Sequence, residues 1–227
     1  MSDASQRLGE VRNGIARAAR LAGRRPDDLV LVAVSKTQPA DAIEALIAAG
    51  QRDFGENRVQ EVQGKWFAPR ADHPPLRAVH PDVRLHLVGR LQSNKAEEAV
   101  LLFDAIHSVD RPSLVSALAK AMTKTGRRTD CFLQVNIGDE PQKGGCAVAD
   151  LPVLVDLARS AGLPLVGLMC LPPDGVEPAP YFALLARLAR RHDVAGLSMG
   201  MSGDYESAVM IGATHVRVGT ALFGDRA

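Results

Sequence analysis

Short apolar segments alternate with amphipathic segments along almost the whole chain. Eight of the apolar segments have the length of strands, and their apolar residues run on without regular polar alternation. They cover residues 29–34, 53–55, 85–89, 105–109, 131–136, 164–170, 195–199 and 215–219. Because strands of this kind are buried on both faces, they predict a parallel sheet whose crossovers are helices.

The segments between the strands have the boundary residues of helices. Gly50 and Gly162 stand where glycine commonly ends a helix, and Pro112 stands in a first turn, where proline is tolerated. A further helix is predicted before the first strand, over about residues 3–21, because its apolar residues recur at helical spacing. The main helical segments cover residues 40–50, 111–122 and 151–162.

Eight strands with their crossovers predict an α/β fold, a TIM-type (β/α)8 barrel, for which about 250 residues is typical. The chain has 227 residues, so we expect one domain over residues 1–227, including the N-terminal helix. An open, doubly wound sheet is the alternative. The proline-rich stretch 68–84 interrupts the pattern, and we expect it to be a mobile surface excursion before the third strand.

Charge and composition exclude several classes of protein. Lys and Arg total 27 against 26 for Asp and Glu, and no basic tract is present, which argues against nucleic-acid or anionic-membrane partners. The three cysteines are an odd number without a CxxC pair, as in a cytoplasmic protein with reduced thiols. No apolar run is long enough to span a bilayer.

Several common catalytic and binding motifs are missing. No GxGxxG follows a strand, and the P-loop-like segment 219–224 continues with Asp225 and Arg226 instead of Lys and Ser/Thr. Segment 200–203 lacks the spacing of a GxSxG nucleophile elbow. The six histidines include no HxxxH or HExxH pair, so we expect no metal site.

Polar residues that follow the strands supply candidate chemistry, because ligand groups of a barrel lie at the carboxyl ends of its strands. Lys36 follows the first strand. An apolar barrel mouth disfavours the charged ammonium, and a Schiff-base lysine needs the neutral amine. The alternative is a lysine that extends to solvent.

An anion cradle is predicted after the seventh and eighth strands, where phosphate sites gather in such barrels. Ser202 precedes a predicted helix, and Gly219 and Thr220 follow the last strand. Hydroxyls and free backbone N–H groups would converge there on a phosphate. The alternative for Ser202 is a plain N-cap of the following helix.

Arg217 lies within the last strand and is expected to point into the barrel. A buried guanidinium needs a ligand or a carboxylate, and Glu56 is the alternative partner. A lysine, an arginine and a phosphate cradle at one barrel mouth together indicate pyridoxal 5′-phosphate (PLP).

The sequence resembles the pyridoxal phosphate homeostasis protein family, which shares the barrel of the alanine racemase N-terminal domain. Among the matching segments are LVAVSKTQPADAI, FGENRVQE, HLVGRLQSNK, QVNIGDEPQKGG and LSMGMSGDYESAVMIGATHVRVGTALFGDR. The resemblance extends from the first strand to the end of the chain. Leu85 and Arg90 depart from residues common in the family, near the end of the third strand.

The resemblance implies roles for individual residues. Lys36 would hold the cofactor as a Schiff base, and Arg217 would face the nitrogen of its pyridine ring. Ser202, Gly219 and Thr220, with the backbone near Met201, would hold the phosphate. Asn57 would be a neighbour of the cofactor.

Three functions are compatible with the sequence. The family resemblance implies a non-catalytic, cytoplasmic protein that stores, buffers or delivers PLP, with PLP-dependent apo-enzymes as possible recipients; we expect a monomer. The second is an amino-acid racemase, for which only Tyr181 and Tyr205 could supply a tyrosine acid–base group. The third is a Schiff-base enzyme acting on a phosphosugar, but Asp41 is the only carboxylate near Lys36 in the sequence.

Overall fold

Eight parallel strands close into a barrel in chain order, with β1 hydrogen-bonded to both β2 and β8. The computed structural model describes residues 2–69, 74–140 and 142–224. The strands are β1 Val30–Val34, β2 Asp53–Glu56, β3 Arg84–Leu87, β4 Ala105–Val109, β5 Asp130–Val135, β6 Leu165–Cys170, β7 Gly196–Ser198 and β8 His215–Val218. The predicted (β/α)8 barrel is confirmed, and the open-sheet alternative is wrong.

Helices surround the barrel and cover the outer faces of its strands. They are α1 Asp3–Leu21, α2 Ala40–Ala48, α3 Val59–Val62, α4 Leu76–Val79, α5 Ala96–Leu102, α6 Pro112–Thr125, α7 Leu151–Ser160, α8 Ala179–Arg191, α9 Tyr205–Ile211 and α10 Thr220–Phe223. A π-helix follows α3 directly, at Gln63–Phe67. All described elements belong to this one barrel, and a single domain over residues 1–227 stays a prediction. No described helix is long and apolar enough to cross a membrane.

The N-terminal helix α1 is present with the predicted bounds. Its apolar stripe, which includes Leu8, Val11 and Ile15, is buried. This stripe packs α1 against α2, α9 and α10, so the helix joins the first and last helical units around the closed barrel. At its start, the hydroxyl of Ser2 accepts a hydrogen bond from the backbone N–H of Ser5.

The proline-rich stretch 68–84 differs from its prediction. Residues 70–73 lie outside the described residues, but the part after them contains the short helix α4. Leu76 of this helix is fully buried, and Arg77 forms an ion pair with Asp104. The surface excursion is therefore only partly as predicted: Ala78 and Val79 are exposed, but the apolar Leu76 anchors the segment against the body.

Side chains of each strand alternate between the barrel interior and the layer beneath the helices. On the outer face, Phe54 packs against Trp66 with ring centroids 5.3 Å apart. The barrel interior contains histidine rings packed on a phenylalanine. The ring centroids of His107 and Phe132 are stacked 4.3 Å apart, and His215 meets Phe132 edge-on with centroids 4.9 Å apart.

The interior environment changes the protonation of these histidines. Burial, reinforced by the nearby His86, holds the pKa of His107 well below its usual range. Burial also lowers the pKa of His215 to about 3, and His86 lowers it further while Asp53 opposes the shift. Both rings are therefore neutral in the folded protein at neutral pH.

We predict that these two histidines destabilise the protein in acid. In the unfolded chain both titrate near pH 6.5, so below that pH the unfolded state binds more protons than the folded state. Each histidine then lowers the free energy of unfolding by about 1.4 kcal/mol per pH unit, between about pH 6 and its folded-state pKa.

Urea denaturation between pH 7.5 and 4.5 measures this effect. The variant His215→Gln removes one of the two groups and should reduce the acid slope by the contribution of one histidine. Equal slopes for the wild-type protein and the variant would contradict the prediction.

Candidate functional site

A cavity of about 540 Å³ opens at the carboxyl ends of the strands. Its lining includes Lys36 from the end of β1, Arg217 from β8 and the loops that follow β2, β7 and β8. The structure therefore brings all the predicted site residues to one cavity. They are Lys36, Asn57, Met201, Ser202, Arg217, Gly219 and Thr220.

The turn that carries Lys36 is held by hydrogen bonds on both sides of the lysine. Before it, the hydroxyl of Ser35 donates to Glu56 at 2.7 Å. After it, the backbone N–H of Thr37 donates to the carboxylate of Glu61 at 2.6 Å. Thr37 has a φ of +62°, a left-handed conformation that is unfavourable for a β-branched residue. These contacts stabilise the turn and hold the backbone of Lys36 at the cavity.

Lys65, in the π-helix, connects the groups that hold this turn. Its ammonium lies 3.0 Å from Glu56 and 2.8 Å from Glu61, and it donates to the carbonyl oxygen of Ser35 at 2.8 Å. The carboxylate of Glu56 is fully buried and also accepts a hydrogen bond from the indole of Trp66 at 3.1 Å. Lys65 and Glu61 are not among the site residues predicted from the sequence; a lysine and a glutamate four residues apart on a helix were the available signal.

Two lysines line the cavity, and they differ in their contacts. The ammonium of Lys143 donates to the carbonyl oxygen of Pro172 at 2.6 Å and forms an ion pair with Glu140 at 2.8 Å. The ammonium of Lys36 has no hydrogen-bond or ion-pair partner among the residues that the structure describes. Lys36 is thus the cavity lysine whose nitrogen is available to a ligand.

The loop after β7 shapes one part of the cavity. Gly200 has a φ of +93°, and a Cβ there would collide with Ala208, so the chain needs glycine at this turn. The next residue, Met201, donates its backbone N–H to the carboxylate of Asp204 at 2.5 Å. Asp204 occupies the N-cap position of α9, and the N-cap alternative for Ser202 is therefore wrong.

Ser202 instead contacts the start of the last helix. Its hydroxyl accepts hydrogen bonds from the backbone N–H groups of Gly219 at 3.2 Å and Ala221 at 3.4 Å. The predicted grouping of Ser202, Gly219 and Thr220 is therefore present. Two backbone N–H groups therefore converge on one hydroxyl at the cavity, and groups of these kinds are what anion sites use.

Arg217 points into the barrel and is only 4% exposed. Its guanidinium donates to the hydroxyl of Ser198 at 2.6 Å and to the carbonyl oxygen of Cys170 at 2.9 Å. The alternative of an ion pair with Glu56 is wrong, because Glu56 shares the outer face of β2 with Phe54 and pairs with Lys65. No carboxylate within the described ranges forms an ion pair with Arg217. Burial lowers the pKa of Arg217, although a guanidinium still keeps its charge in proteins.

The loops after β2 and β3 approach each other closely at the cavity rim. A Cβ on Gly89 would overlap the backbone of Asn57, so glycine at this position allows Asn57 to line the cavity. Arg90, one of the two departures from the family pattern, is exposed and lines the same rim. The other departure, Leu85, is fully buried.

Neither tyrosine of the chain lines the cavity. Tyr205 lies at the start of α9, where its hydroxyl donates to Glu206 at 3.4 Å and lies against Gly14 of α1. Tyr181 belongs to the outer helix α8. The acid–base groups considered for a racemase therefore face away from the candidate site.

The cysteines are buried, and the acidic residues form no metal centre in the part of the chain that the structure describes. Cys131, Cys146 and Cys170 are free and buried, and burial raises the pKa of each thiol to about 12. Over the ranges that the structure covers, no group of three or more His, Cys, Asp or Glu residues could hold a metal ion.

Fold and site together define a TIM-type barrel protein with a lysine, a buried arginine and an anion cradle around one cavity. The family model for the alanine racemase N-terminal domain matches residues 7–227. The pyridoxal phosphate homeostasis protein of Pseudomonas aeruginosa is 41% identical over 232 residues, which cover 100% of this chain and 97% of the relative. The chain belongs to the alanine racemase N-terminal domain family and, within it, to the pyridoxal phosphate homeostasis proteins.

Solved structures agree with this assignment. The structure of PipY from Synechococcus elongatus with PLP bound is 40% identical, with a TM-score of 0.73 over 92% of this chain and 100% of that one. An alanine racemase of Clostridium difficile aligns with a TM-score of 0.67 at 14% identity, over 94% of this chain and 55% of that one. This second likeness concerns the fold alone.

We predict that Lys65→Met strongly destabilises the protein. The substitution leaves the carboxylate of Glu56 buried without its cation, and breaking a buried pair in this way costs about 3–5 kcal/mol. As a matched control, Lys124→Met removes a lysine from the exposed pair with Glu97 and should cost less than about 1 kcal/mol. Urea denaturation of both variants at neutral pH measures their free energies of unfolding. Similar losses in the two variants would contradict the prediction, because the buried pair of Lys65 with Glu56 would then contribute no more stability than an exposed pair.

Proposed function

We propose that this protein binds PLP in the cavity through Lys36 and takes part in the homeostasis of the cofactor, by storing, buffering or delivering it. The observation that carries the proposal is the ammonium of Lys36, which has no partner among the described residues and lies in a cavity that also holds an anion cradle and Arg217. The PLP-bound structure of PipY and the names of the curated relatives support it.

The residues of the cavity fit each chemical part of PLP. The backbone N–H groups of Gly219 and Ala221, which now donate to the hydroxyl of Ser202, would hold the phosphate together with the hydroxyls of Ser202 and Thr220. The backbone near Met201 would border the phosphate. The guanidinium of Arg217 would donate to the ring nitrogen, and Asn57 would lie beside the cofactor.

When bound, PLP supplies an aldehyde that condenses with a lysine amine and a ring that can withdraw electrons. Lys36 provides that amine without first breaking another contact. Arg217 can only donate hydrogen bonds, so it leaves the ring nitrogen without a proton and keeps the electron-withdrawing power of the ring low. This pairing favours binding and release of the cofactor over reactions that need a strong electron sink.

We further propose that the protein has no turnover reaction of its own. Racemisation needs acid–base groups on both faces of the substrate within hydrogen-bond reach. Tyr205 and Tyr181 lie away from the cavity, and Glu56 and Glu61 are paired with Lys65 behind the Lys36 turn. The phosphosugar alternative needs a carboxylate beside Lys36, and no carboxylate among the described residues lines the cavity.

The proposed function also leads to expectations about the cellular compartment and the partners of the protein. The relatives named as homeostasis proteins are bacterial, and the buried free thiols are consistent with a reducing compartment. Cytoplasmic residence, a monomeric state and PLP-dependent apo-enzymes as recipients stay predictions.

We predict that Lys36→Ala abolishes the covalent attachment of PLP. Borohydride treatment of the wild-type protein with PLP should give a reduced adduct on the Lys36 peptide, identified by mass spectrometry. The control Lys143→Ala should retain it, because Lys143 is held by Glu140 and Pro172. A wild-type protein that stays colourless with PLP would overturn the proposal and favour the phosphosugar alternative; an adduct in Lys36→Ala would assign the role to another lysine.

We also predict negligible exchange of amino-acid α-protons by the PLP-loaded protein. Incubation with L-alanine in D2O, followed by NMR, measures proton removal from the α-carbon, and chiral chromatography measures D-alanine. Both should stay near the background of free PLP, since neither a tyrosine nor a carboxylate of the described residues lines the cavity. Catalytic formation of D-alanine, lost in Lys36→Ala, would establish the racemase alternative.

A further inference from the structure

A continuous chain of hydrogen bonds connects Arg217 to the opposite end of the barrel. Its guanidinium donates to the hydroxyl of Ser198 at 2.6 Å, and that hydroxyl lies 2.7 Å from Nδ1 of His107. Nε2 of His107 lies 3.0 Å from Nδ1 of His86, and Nε2 of His86 lies 2.9 Å from the carboxylate of Asp53. The chain crosses the barrel through side chains of β8, β7, β4, β3 and β2.

The members of the chain are buried except at its far end. Ser198 and His107 are fully buried, and His86 is 1% exposed. Asp53, at the start of β2, is partly exposed, with about a quarter of its side chain in contact with solvent. The chain of hydrogen bonds therefore begins at the cavity, runs through buried side chains and ends at the amino-terminal mouth of the barrel.

The two ends determine the direction of every hydrogen bond when both rings are neutral. A carboxylate only accepts, so Asp53 requires a proton on Nε2 of His86, whose Nδ1 then accepts from Nε2–H of His107. Nδ1 of His107 in turn accepts from the hydroxyl of Ser198. The lone pairs of that hydroxyl are then directed at Arg217, which can only donate.

The environment of His107 supports this arrangement. Burial and the neighbouring His86, His215 and Arg217 hold the pKa of His107 well below its usual range, which keeps its ring neutral. A neutral ring has one donor and one acceptor nitrogen, and both are used. A doubly protonated His86 would reverse the bond between the two rings and the bond from His107 to Ser198.

We propose that Ser198, His107 and His86 are positioning residues that hold the guanidinium of Arg217 at the cavity, with Asp53 as the terminal acceptor. The chain compensates the buried cation with oriented dipoles where an ion pair is absent. It ends on a carboxylate at the far mouth of the barrel, away from the cavity. Its effect on the cofactor rests on the proposed function, but the chain itself does not.

The chain of hydrogen bonds can be tested directly in the protein without cofactor. Two-bond ¹H–¹⁵N NMR spectra report which nitrogen of each histidine carries the proton. We expect His86 and His107 both to be neutral with the proton on Nε2. A proton on Nδ1 of His107, or a doubly protonated His86, would overturn the proposal whether or not the protein binds PLP.

A pair of serine variants tests whether the chain of hydrogen bonds positions Arg217 at the cavity. Ser198→Ala should mix the tautomers of His107 and weaken PLP binding about tenfold, because a hydrogen bond to a buried charged group is lost. Ser108→Ala is the matched control, since Ser108 is equally buried on β4 and its hydroxyl has no hydrogen-bond partner in the described structure. Its histidine spectra should be unchanged and its PLP affinity should stay within about twofold of the wild type.

The outcomes separate the two proposals. Equal PLP affinities for Ser198→Ala and Ser108→Ala would show that the chain does not position Arg217. If the wild-type protein binds no PLP, the proposed function fails. The histidine tautomers still decide whether the chain of hydrogen bonds from Arg217 to Asp53 exists.

Discussion

The buried carboxylate of Glu56 is the constraint on which the cavity depends. It is removed from water on the outer face of β2, so it must be compensated by Lys65, Ser35 and Trp66. Two of those partners reach the backbone around Lys36: Ser35 precedes it, and Lys65 binds the carbonyl oxygen of Ser35. The energy that keeps this charge paired therefore also fixes the turn that presents the lysine.

Arg217 is the second buried charge, and it is stabilised differently. Glu56 has a cation in direct contact, whereas Arg217 is bound by a hydroxyl and a carbonyl oxygen. An acid beside Arg217 would compete with any ligand for its N–H groups. Compensation by neutral dipoles from the barrel interior leaves the guanidinium both buried and available to the cavity, and it explains why polar residues occupy the middle of this barrel.

Strand alternation explains which parts of the site could be predicted from the sequence. Continuous apolar runs gave eight strands in the right places, and residues that follow strand ends, such as Lys36 and Ser202, were found by position alone. The same rule places Glu56 on the outer face with Phe54, and Arg217 on the inner face with His215. The alternative of an ion pair between Glu56 and Arg217 was wrong because it ignored this alternation. Lys65 could not be identified because its contact with Ser35 joins residues 30 positions apart through an irregular π-helix.

The positions of the tyrosines connect the fold to the proposed absence of turnover. Helix α1 packs across α9, and the side chain of Tyr205 fills the space above Gly14 between them. To reach the cavity, this side chain would have to leave that interface and its contact with Glu206, which also pairs with Arg17 of α1. The N-terminal helix thus holds the side chain of Tyr205 on the outside of the barrel. With both tyrosines outside the cavity, the lysine, the arginine and the anion cradle that line it are arranged to hold a ligand, as the proposed function requires.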